Sequence, residues 1–425
     1  MDGALIAGYP AYDSYRDSGV EWLGRVPSTW TLTRLGGLFD ERKSKVSDKD
    51  FEPLSVTKNG IFPQLETAAK TNDGDNRKLV RAGDFVINSR SDRKGSSGVS
   101  PRDGSVSLIN IVLKPTEILP EFCGHILKSY AFVEEYYRMG HGIVADLWTT
   151  RYDEMRAIIM ALPPPEEQRA IAGFLDEKCA RLDEAVRIKQ AQIELLRERR
   201  QILIQQAVTT GLNPAAPMKD SRLDWIGQIP AHWEVRRSKY IFTQRKELAR
   251  KDDIQLSATQ SYGVIPQDEF EELVGRRVVK IQTNLEKRKH VEIDDFVISM
   301  RSFQGGLERA FATGCIRSSY IILQSLEPVN ADFFGYLFKS PRYIKALQAT
   351  GSFIRDGQDL NFENFSKVDL FLPPLDEQAE IAAHIKVGCE KIDNGIAIKE
   401  SQIAALREYR TSLINAAVTG KIKVA

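Results

Sequence analysis

The chain has 425 residues, 42% of them hydrophobic and 28% charged, and its 59 basic residues nearly cancel 58 acidic ones. That is material for two or three packed domains, and it excludes a small stapled scaffold, a disordered chain and a surface coated in positive charge. Any contact with nucleic acid must therefore be local.

No run of about 18 or more apolar residues occurs, and residues 1–10 lack the basic and apolar regions of a secretory signal, so a cytoplasmic protein without membrane contact is expected. The four cysteines, Cys123, Cys179, Cys315 and Cys389, are scattered, with no paired spacing and no histidine at ligand spacing. Reduced, packed thiols are expected, with neither a disulfide framework nor a metal site. His125, His141, His232, His290 and His384 form no metal-binding or catalytic pattern and read as structural.

Along the chain, the first marked element is an anchor spaced by Trp22, Gly24, Pro27 and Trp30. Its tryptophans read as core residues, with stacking on a flipped base as the alternative. Arg77 and Lys78 are candidates for phosphate contacts, against the plainer reading of a solvated face. Residues 84–88 predict a buried strand and residues 106–113 a second one. Between them lies a polar basic loop, residues 89–97, carrying Arg90, Ser91, Arg93 and Lys94. Arginine makes bidentate contacts to guanine edges, and glycine lets backbone approach a phosphate, so this loop suits DNA reading; an ordinary solvated loop is the alternative. A helix is expected over residues 121–139, followed by a flexible loop at Gly140-His141-Gly142.

Leu162-Pro163-Pro164-Pro165-Glu166-Glu167-Gln168 then favours extended backbone followed by acids in a first helical turn. Apolar residues follow in steps of four and three, at Leu175, Cys179, Leu182 and Val186, then Ile193, Leu196, Leu203 and Ala207, with Lys189 and Arg200 at the remaining seam positions. This is a heptad pattern, and polar residues on a seam fix register at a cost in stability. The helix, residues 166–208, is roughly 43 residues or about 65 Å long, too long to hide in one core. It predicts antiparallel pairing with a partner helix, the alternative being an amphipathic helix packed on its own domain. Gly211, Asn213, Pro214 and Pro217 mark a linker over residues 211–219.

The same order then repeats. Trp225, Gly227, Pro230 and Trp233 restate the anchor, displaced by 203 residues from Trp22 to Trp225. Lys287, Arg288, Lys289 and His290 form a basic run, and Lys287, Arg288 and Lys289 are further candidates for phosphate contacts. Residues 295–299 and 319–323 predict strands. The loop after the first of these carries Met300, Arg301, Ser302, Phe303, Gln304, Gly305 and Gly306, so that Arg301-Ser302 matches Arg90-Ser91, and Arg301, Ser302 and Gln304 join the candidate DNA contacts. A helix is expected over residues 331–349, with a flexible loop at Gly351-Ser352-Phe353. Leu372-Pro373-Pro374-Leu375-Asp376-Glu377-Gln378 returns the helix start, displaced by 210 residues from Pro163 to Pro373. Ile385, Cys389, Ile392, Ile396, Lys399, Ile403, Leu406, Arg410, Leu413 and Ala417 form a second seam with its basic residues at the same positions.

The chain is therefore an internal duplication with divergent middles. One construction carrying two different middles points to two different targets. No phosphate-binding glycine-rich loop, dinucleotide fingerprint or methyl-transfer motif is present, so the chain reads as a binding and scaffold protein without catalysis of its own.

Taken together, the anchor at Ser18 to Trp30 with its repeat, the two Leu-Pro-Pro-x-x-Glu-Gln starts and the long helix after each resemble the specificity subunits of type I restriction-modification systems, over essentially the whole chain. The resemblance implies an α+β fold: two similar globular DNA target recognition domains separated by two long antiparallel coiled-coil helices, with an internal pseudo-twofold repeat. It places a first recognition domain at residues 1–161, a spacer helix at 162–210, a second domain at 220–371 and a C-terminal spacer helix at 372–425. Each domain would read one half of a bipartite, asymmetric site in double-stranded DNA, and the helices would set the unread gap. Leu182, Lys189, Ile193, Leu196 and Arg200 would pair with Ile392, Lys399, Ile403, Leu406 and Arg410. The implied partners are two modification (methyltransferase) subunits carrying S-adenosylmethionine and two restriction (motor-nuclease) subunits using ATP and magnesium, with no cofactor on this chain. The base-reading role of the arginine loops is a reading of the residues and is not carried by the resemblance. A coiled-coil scaffold that docks proteins and reads no bases is the competing reading; a self-sufficient nucleic-acid enzyme is a third, which the missing motifs disfavour.

Overall fold

The computed structural model describes residues 8–66, 74–142, 148–278, 287–299, 301–351 and 360–424. The chain divides into two compact units, residues 1–190 with 399–425, and residues 191–398.

In the first unit the run Phe85–Asn88 is apolar on both faces because it lies inside a four-stranded antiparallel sheet, between Ser97–Val99 and Asn110–Pro115, with Phe39–Glu41 at the far edge. Strand side chains alternate between faces. Phe85, Ile87, Ile111 and Leu113 therefore enter the main core with Trp30, Phe122, Phe132 and Tyr136. Val86 and Val112 face a second, smaller core with Leu54, Ile61, Val80 and Val106. At about 1.5–3 kcal/mol for each large side chain taken out of water, the two faces together fix the strand register.

The second unit repeats this plan. Phe296–Ile298 lies between Glu308–Arg309 and Ile321–Ser325, with Phe242–Arg245 at the edge. Phe296, Ile298 and Leu323 face the main core, while Val297 and Ile322 face Leu256, Val264, Val291, Ala310 and Ile316. A matched ion pair braces each sheet. Arg42 grips Asp84 at 2.6 and 3.0 Å, and Arg245 grips Asp295 at 2.7 and 3.1 Å.

Four sequence expectations are revised. Residues 106–113 are not one strand: Gly104–Val106 and Asn110–Pro115 belong to different sheets, parted by a turn in which the Asn110 N–H donates to the Ser107 carbonyl at 3.0 Å. The exposed Leu108 and Ile109 in that turn make the apolar run look continuous. Residues 121–139 form two helices, Pro120–Ile126 and Tyr130–Arg138, because Ser129 starts a new one by accepting the Phe132 N–H at 3.3 Å. Residues 331–349 break in the same place into Ala331–Phe338 and Pro341–Ala349, where Ser340 caps Tyr343. Gly140 to Gly142 is tied down, with His141 and Thr149 exchanging backbone hydrogen bonds at 3.2 and 3.1 Å. Met300, Ser352 and Phe353 lie outside the described residues.

The long helices run over Pro165–Thr210 and Leu375–Val418. Each start is held by its motif glutamine. Gln168 is buried, donates to the Pro163 carbonyl at 2.9 Å and accepts the Leu119 N–H at 3.0 Å. Gln378 donates to Pro373 at 2.8 Å and accepts the Asn330 N–H at 2.9 Å. The neighbouring glutamate takes the anchor. The buried Trp30 indole donates to Glu167 at 3.1 Å, with the Tyr12 hydroxyl on the same oxygen, and Trp233 donates to Glu377 at 3.0 Å.

Within each unit the start of one long helix packs antiparallel on the end of the other. In the first, Lys189 donates to Gln402 at 2.7 Å and Arg410 pairs with Asp183 at 3.2 Å, while Leu413, Ala416, Ala417 and Val418 complete the main core. In the second, Arg200 reaches Asp393 at 3.7 Å, and Ala207 and Val208 enter the core. Ile193, Ile392 and Ile403 are buried; Leu182, Leu196, Leu406, Lys189 and Lys399 are half-buried. Arg200 and Arg410 sit at the rim of the seam, with side chains 47% and 41% exposed, so their ion pairs contribute little stability and act on register. The ends are glycine-capped: Gly211 at φ +70° lies against Trp233, and Gly420 at φ +71° against Pro27 and Trp30.

His290 is fully buried between Asp253, 2.9 Å from Nδ1, and Glu292, 2.7 Å from Nε2. Burial lowers its pKa, but the hydrogen bonds to Glu292 and Asp253 outweigh burial and leave it above the ordinary value, while Glu292 is held low chiefly by the histidine.

Two outcomes follow from these contacts. Replacing the buried Gln168 or Gln378 by alanine leaves the part-buried N–H of Leu119 or Asn330 without its partner, and is expected to cost about 1–3 kcal/mol in urea unfolding of the full chain. The charged His290 stabilises fully below its unfolded pKa of about 6.5 and progressively less as pH rises through the higher folded value, whereas the Glu292 contribution is lost as pH falls below about 4.3. The urea midpoint should therefore fall on the alkaline side of a mildly acidic plateau, and the profile of His290→Gln should lack that alkaline fall.

Candidate nucleic-acid interface

Arg90 and Arg301 occupy the same place in their two units. Each follows the central sheet strand, after Phe85–Asn88 and Phe296–Ile298, and each precedes one short helical turn, Ser91–Arg93 and Ser302–Gly305. Each is set by a polar side chain two residues earlier: the Arg90 N–H donates to Asn88 Oδ1 at 3.0 Å and the Arg301 N–H to Ser299 Oγ at 3.3 Å. Both guanidinium groups are exposed and have no side-chain partner among the described residues. Each unit thus presents an exposed, five-donor cation just after a buried strand, on extended backbone at Arg90 (ψ 143°) and helical backbone at Arg301 (ψ 0°), and a guanidinium so placed can make bidentate contacts to a base edge or phosphate.

The rest of the first loop is firmly held. Ser91 donates its N–H to the Trp148 carbonyl at 3.0 Å, and the Tyr137 hydroxyl donates to the Asn88 carbonyl at 3.0 Å. Arg93 is largely exposed, 3.7 Å from Asp92. Lys94 is paired with Glu134 at 2.7 Å and lies 5.9 Å from the centre of the Tyr137 ring. In the second loop Ser302 is buried, its hydroxyl accepting the Ser299 N–H at 2.8 Å, whereas Gln304 is exposed.

Four of the remaining basic candidates turn inward. Arg77 is 4% exposed and donates to the Ser105 hydroxyl at 2.8 Å, and Arg288, 7% exposed, lies 3.7 Å from the Cys315 sulfur. Lys78 donates to the Asn110 carbonyl at 2.8 Å and Lys289 to the Tyr320 carbonyl at 2.6 Å. Burial pushes the pKa of Arg77, Lys78 and Lys289 down. These are two copies of one structural device that closes the small core, each Arg-Lys pair spending its donors on the neighbouring strands. They do not join Arg90 and Arg301 at the surface. Lys287 alone of the run is exposed.

Beside each arginine loop stands the tip of a hairpin that sequence reasoning passed over: Lys58 and Asn59 in the first unit, and Gln260, Ser261 and Tyr262 in the second. The Asn59-Gly60 pair is the sequence signal that marks such a turn. Among the described residues, no three His, Cys, Asp or Glu side chains gather to hold a metal, and no helix is long and apolar enough to cross a membrane.

No family model and no curated protein sequence matches the chain. Solved structures do. A chain from a structural description of complex assembly and conformational transition in the type I R-M system matches with a TM-score of 0.66 at 15% identity, covering 92% of this chain and 98% of that one. The HsdS subunit from Thermoanaerobacter tengcongensis matches with a TM-score of 0.54 at 18% identity, covering 93% of this chain and 98% of that one. At such identities the likeness is one of fold, and the chain has the mixed helix-and-sheet fold of type I restriction-modification specificity subunits, with its two domains and paired long helices.

Proposed function

We propose that this chain is the DNA-reading subunit of a type I restriction-modification complex, in which each domain reads one half of a bipartite asymmetric site. The observation that carries the proposal is the matched pair Arg90 and Arg301: an exposed arginine without a side-chain partner among the described residues, at the same place after the central strand in both domains, its N–H held by a polar side chain two residues earlier. Packing does not explain the repetition, because neither side chain packs. Arg93, Lys94, Ser91, Ser302, Gln304 and Lys287 flank these positions and supply further contacts to bases or phosphates. Arg77, Lys78, Arg288 and Lys289 act from inside, holding the sheets that carry the loops.

The paired helices set the gap between the half-sites and dock two modification subunits, which bring S-adenosylmethionine; two restriction subunits bring ATP and magnesium. A duplicated chain offers two equivalent surfaces, as a symmetric pair of partners requires. The chain contributes recognition, and the chemistry belongs to its partners.

The test is a methylation map of a methylation-free bacterial host expressing this chain with its neighbouring modification subunit. Methyladenine confined to one split sequence is expected, and exchange of residues 31–158 for those of a related protein should change one half only. Arg90→Ala and Arg301→Ala should each weaken binding to the mapped site by about 1–3 kcal/mol, read by titration of labelled duplex. Full methylation after charge reversal at both arginines would favour the scaffold that reads no bases.

Adding about four residues, close to one helical turn, after Ala191 and again after Ser401 should lengthen the gap by about one or two base pairs, with both half-sites unchanged. An altered half-site with an unchanged gap would remove the helices from this role.

A further inference from the structure

A bipartite asymmetric site has two halves that must be read differently, yet the two domains present the same residue type at the same place after the central strand. A shared contact cannot supply that difference. It must come from exposed side chains beside Arg90 and Arg301 that differ between the units. The hairpin tips meet both conditions. In the first unit, strands Leu54–Thr57 and Gly60–Pro63 are joined by Lys58 and Asn59, both exposed. In the second, strands Leu256–Thr259 and Gly263–Pro266 are joined by three exposed residues, Gln260, Ser261 and Tyr262.

Each tip is fixed next to its arginine loop by equivalent contacts. Lys128 donates to the Lys58 carbonyl at 3.3 Å, and Lys339 donates to the Gln260 carbonyl at 2.8 Å. Both lysines directly precede the capping serines, Ser129 and Ser340, that divide the paired short helices. The first hairpin lies against the strand leaving the Arg90 loop so closely that a Cβ on Gly98 would stand 3.1 Å from the Gly60 Cα. In the second, Gln260 Nε2 donates to the Arg301 carbonyl at 3.3 Å, and a Cβ on Gly305 would stand 2.5 Å from that amide nitrogen. The acids Asp268, Glu269 and Glu272 belong to the helix Gln267–Val274, which follows the base of this hairpin and not its tip.

From this arrangement we infer that Lys58-Asn59 and Gln260-Ser261-Tyr262 contact bases beside the arginine and determine which half-site each domain accepts; the inference rests on the DNA-reading function proposed above. A two-stranded ribbon fits the major groove, where asparagine and glutamine pair with adenine edges, lysine with guanine, and an aromatic ring packs on a thymine methyl. The tips differ in length as well as chemistry, so the two domains meet different edges from one common frame. The backbone anchors, Lys128 and Lys339, stay constant while the tip residues vary.

The experiment uses the full chain with its modification subunit and the same methylation map. Asn59→Ala is expected to relax sequence preference at one position of the first half-site, raising methylation at formerly excluded sites about tenfold, with the second half-site and the gap unchanged. Tyr262→Ala should do the same in the second half-site alone. Lys58→Ala gives a second reading of the first tip should Asn59→Ala lower the yield of complex. Unchanged preference in both half-sites, in variants with the parent's thermal midpoint, would overturn the inference, as would an equal change in both halves. If exchange of residues 31–158 still switches the first half-site, that failure belongs to the tips alone; if that exchange changes nothing, the reading function itself fails.

Discussion

The hydrogen bond from a buried tryptophan to a glutamate in the first turn of a long helix is the constraint on which the rest of each unit is built. Trp30 meets Glu167 and Trp233 meets Glu377 at 3.1 and 3.0 Å. A carboxylate is favoured at a helix start by the unpaired N–H groups and the helix dipole, and here it also satisfies an indole that would otherwise be buried with its donor unused. The adjacent glutamine adds two more bonds, reaching back to a proline just before the helix and across to the start of the first of the two paired short helices. Domain and helix are therefore oriented by groups whose loss leaves buried donors unmatched, and the Leu-Pro-Pro-x-x-Glu-Gln motif and the distant tryptophan anchor recur together because they are halves of one junction.

That junction lets the remaining surface vary. The sheets are fixed by apolar alternation on two faces and by the Arg42–Asp84 and Arg245–Asp295 pairs, none of which involves the exposed loop residues. The cations nearest the loops divide cleanly by burial. Arg77, Arg288, Lys78 and Lys289 have given up water and are repaid by backbone carbonyls and neighbouring strands, whereas Arg90 and Arg301 keep their hydration. A polyanion gains most from cations not already engaged inside the fold, which favours the proposed binding surface at the sheet ends over one along the basic runs.

Much of this was legible in the sequence, and the parts that were not have physical reasons. The duplication, the helix starts and the four-three seam are carried by local spacing, which survives in any tertiary setting. The strand expected over residues 106–113 failed because Leu108 and Ile109 are apolar yet exposed in a turn, so hydropathy and burial part company there. The helices expected over 121–139 and 331–349 were each one element too few, since a capping serine starts a new helix without interrupting the apolar pattern. The inward turn of Arg77 and Lys78 depends on which strands they face, and sequence spacing does not record that. The hairpin tips went unread because their meaning lies in adjacency to a loop about 30–40 residues away in the chain, and only the pairing of strands brings the two together.

The duplication also has a consequence for how the first unit is assembled. Its main core is built from residues 23 to 175 and then completed by Leu413, Ala416, Ala417, Val418 and Ile422, with Lys421 donating to the Leu23 carbonyl across 398 residues of chain. The second unit needs no such return, because Ala207 and Val208 precede it directly. Contacts so distant in sequence form late, since the intervening chain must be ordered before they are rewarded. Until the second long helix is in place, this core lacks the side chains from Leu413 to Ile422 and the turn at Gly420 beside Trp30, so the first unit is finished by the last segment of the repeat. The two halves are thus interleaved rather than strung in tandem, and the same antiparallel helix contacts that define register also decide when the first domain acquires its complete core.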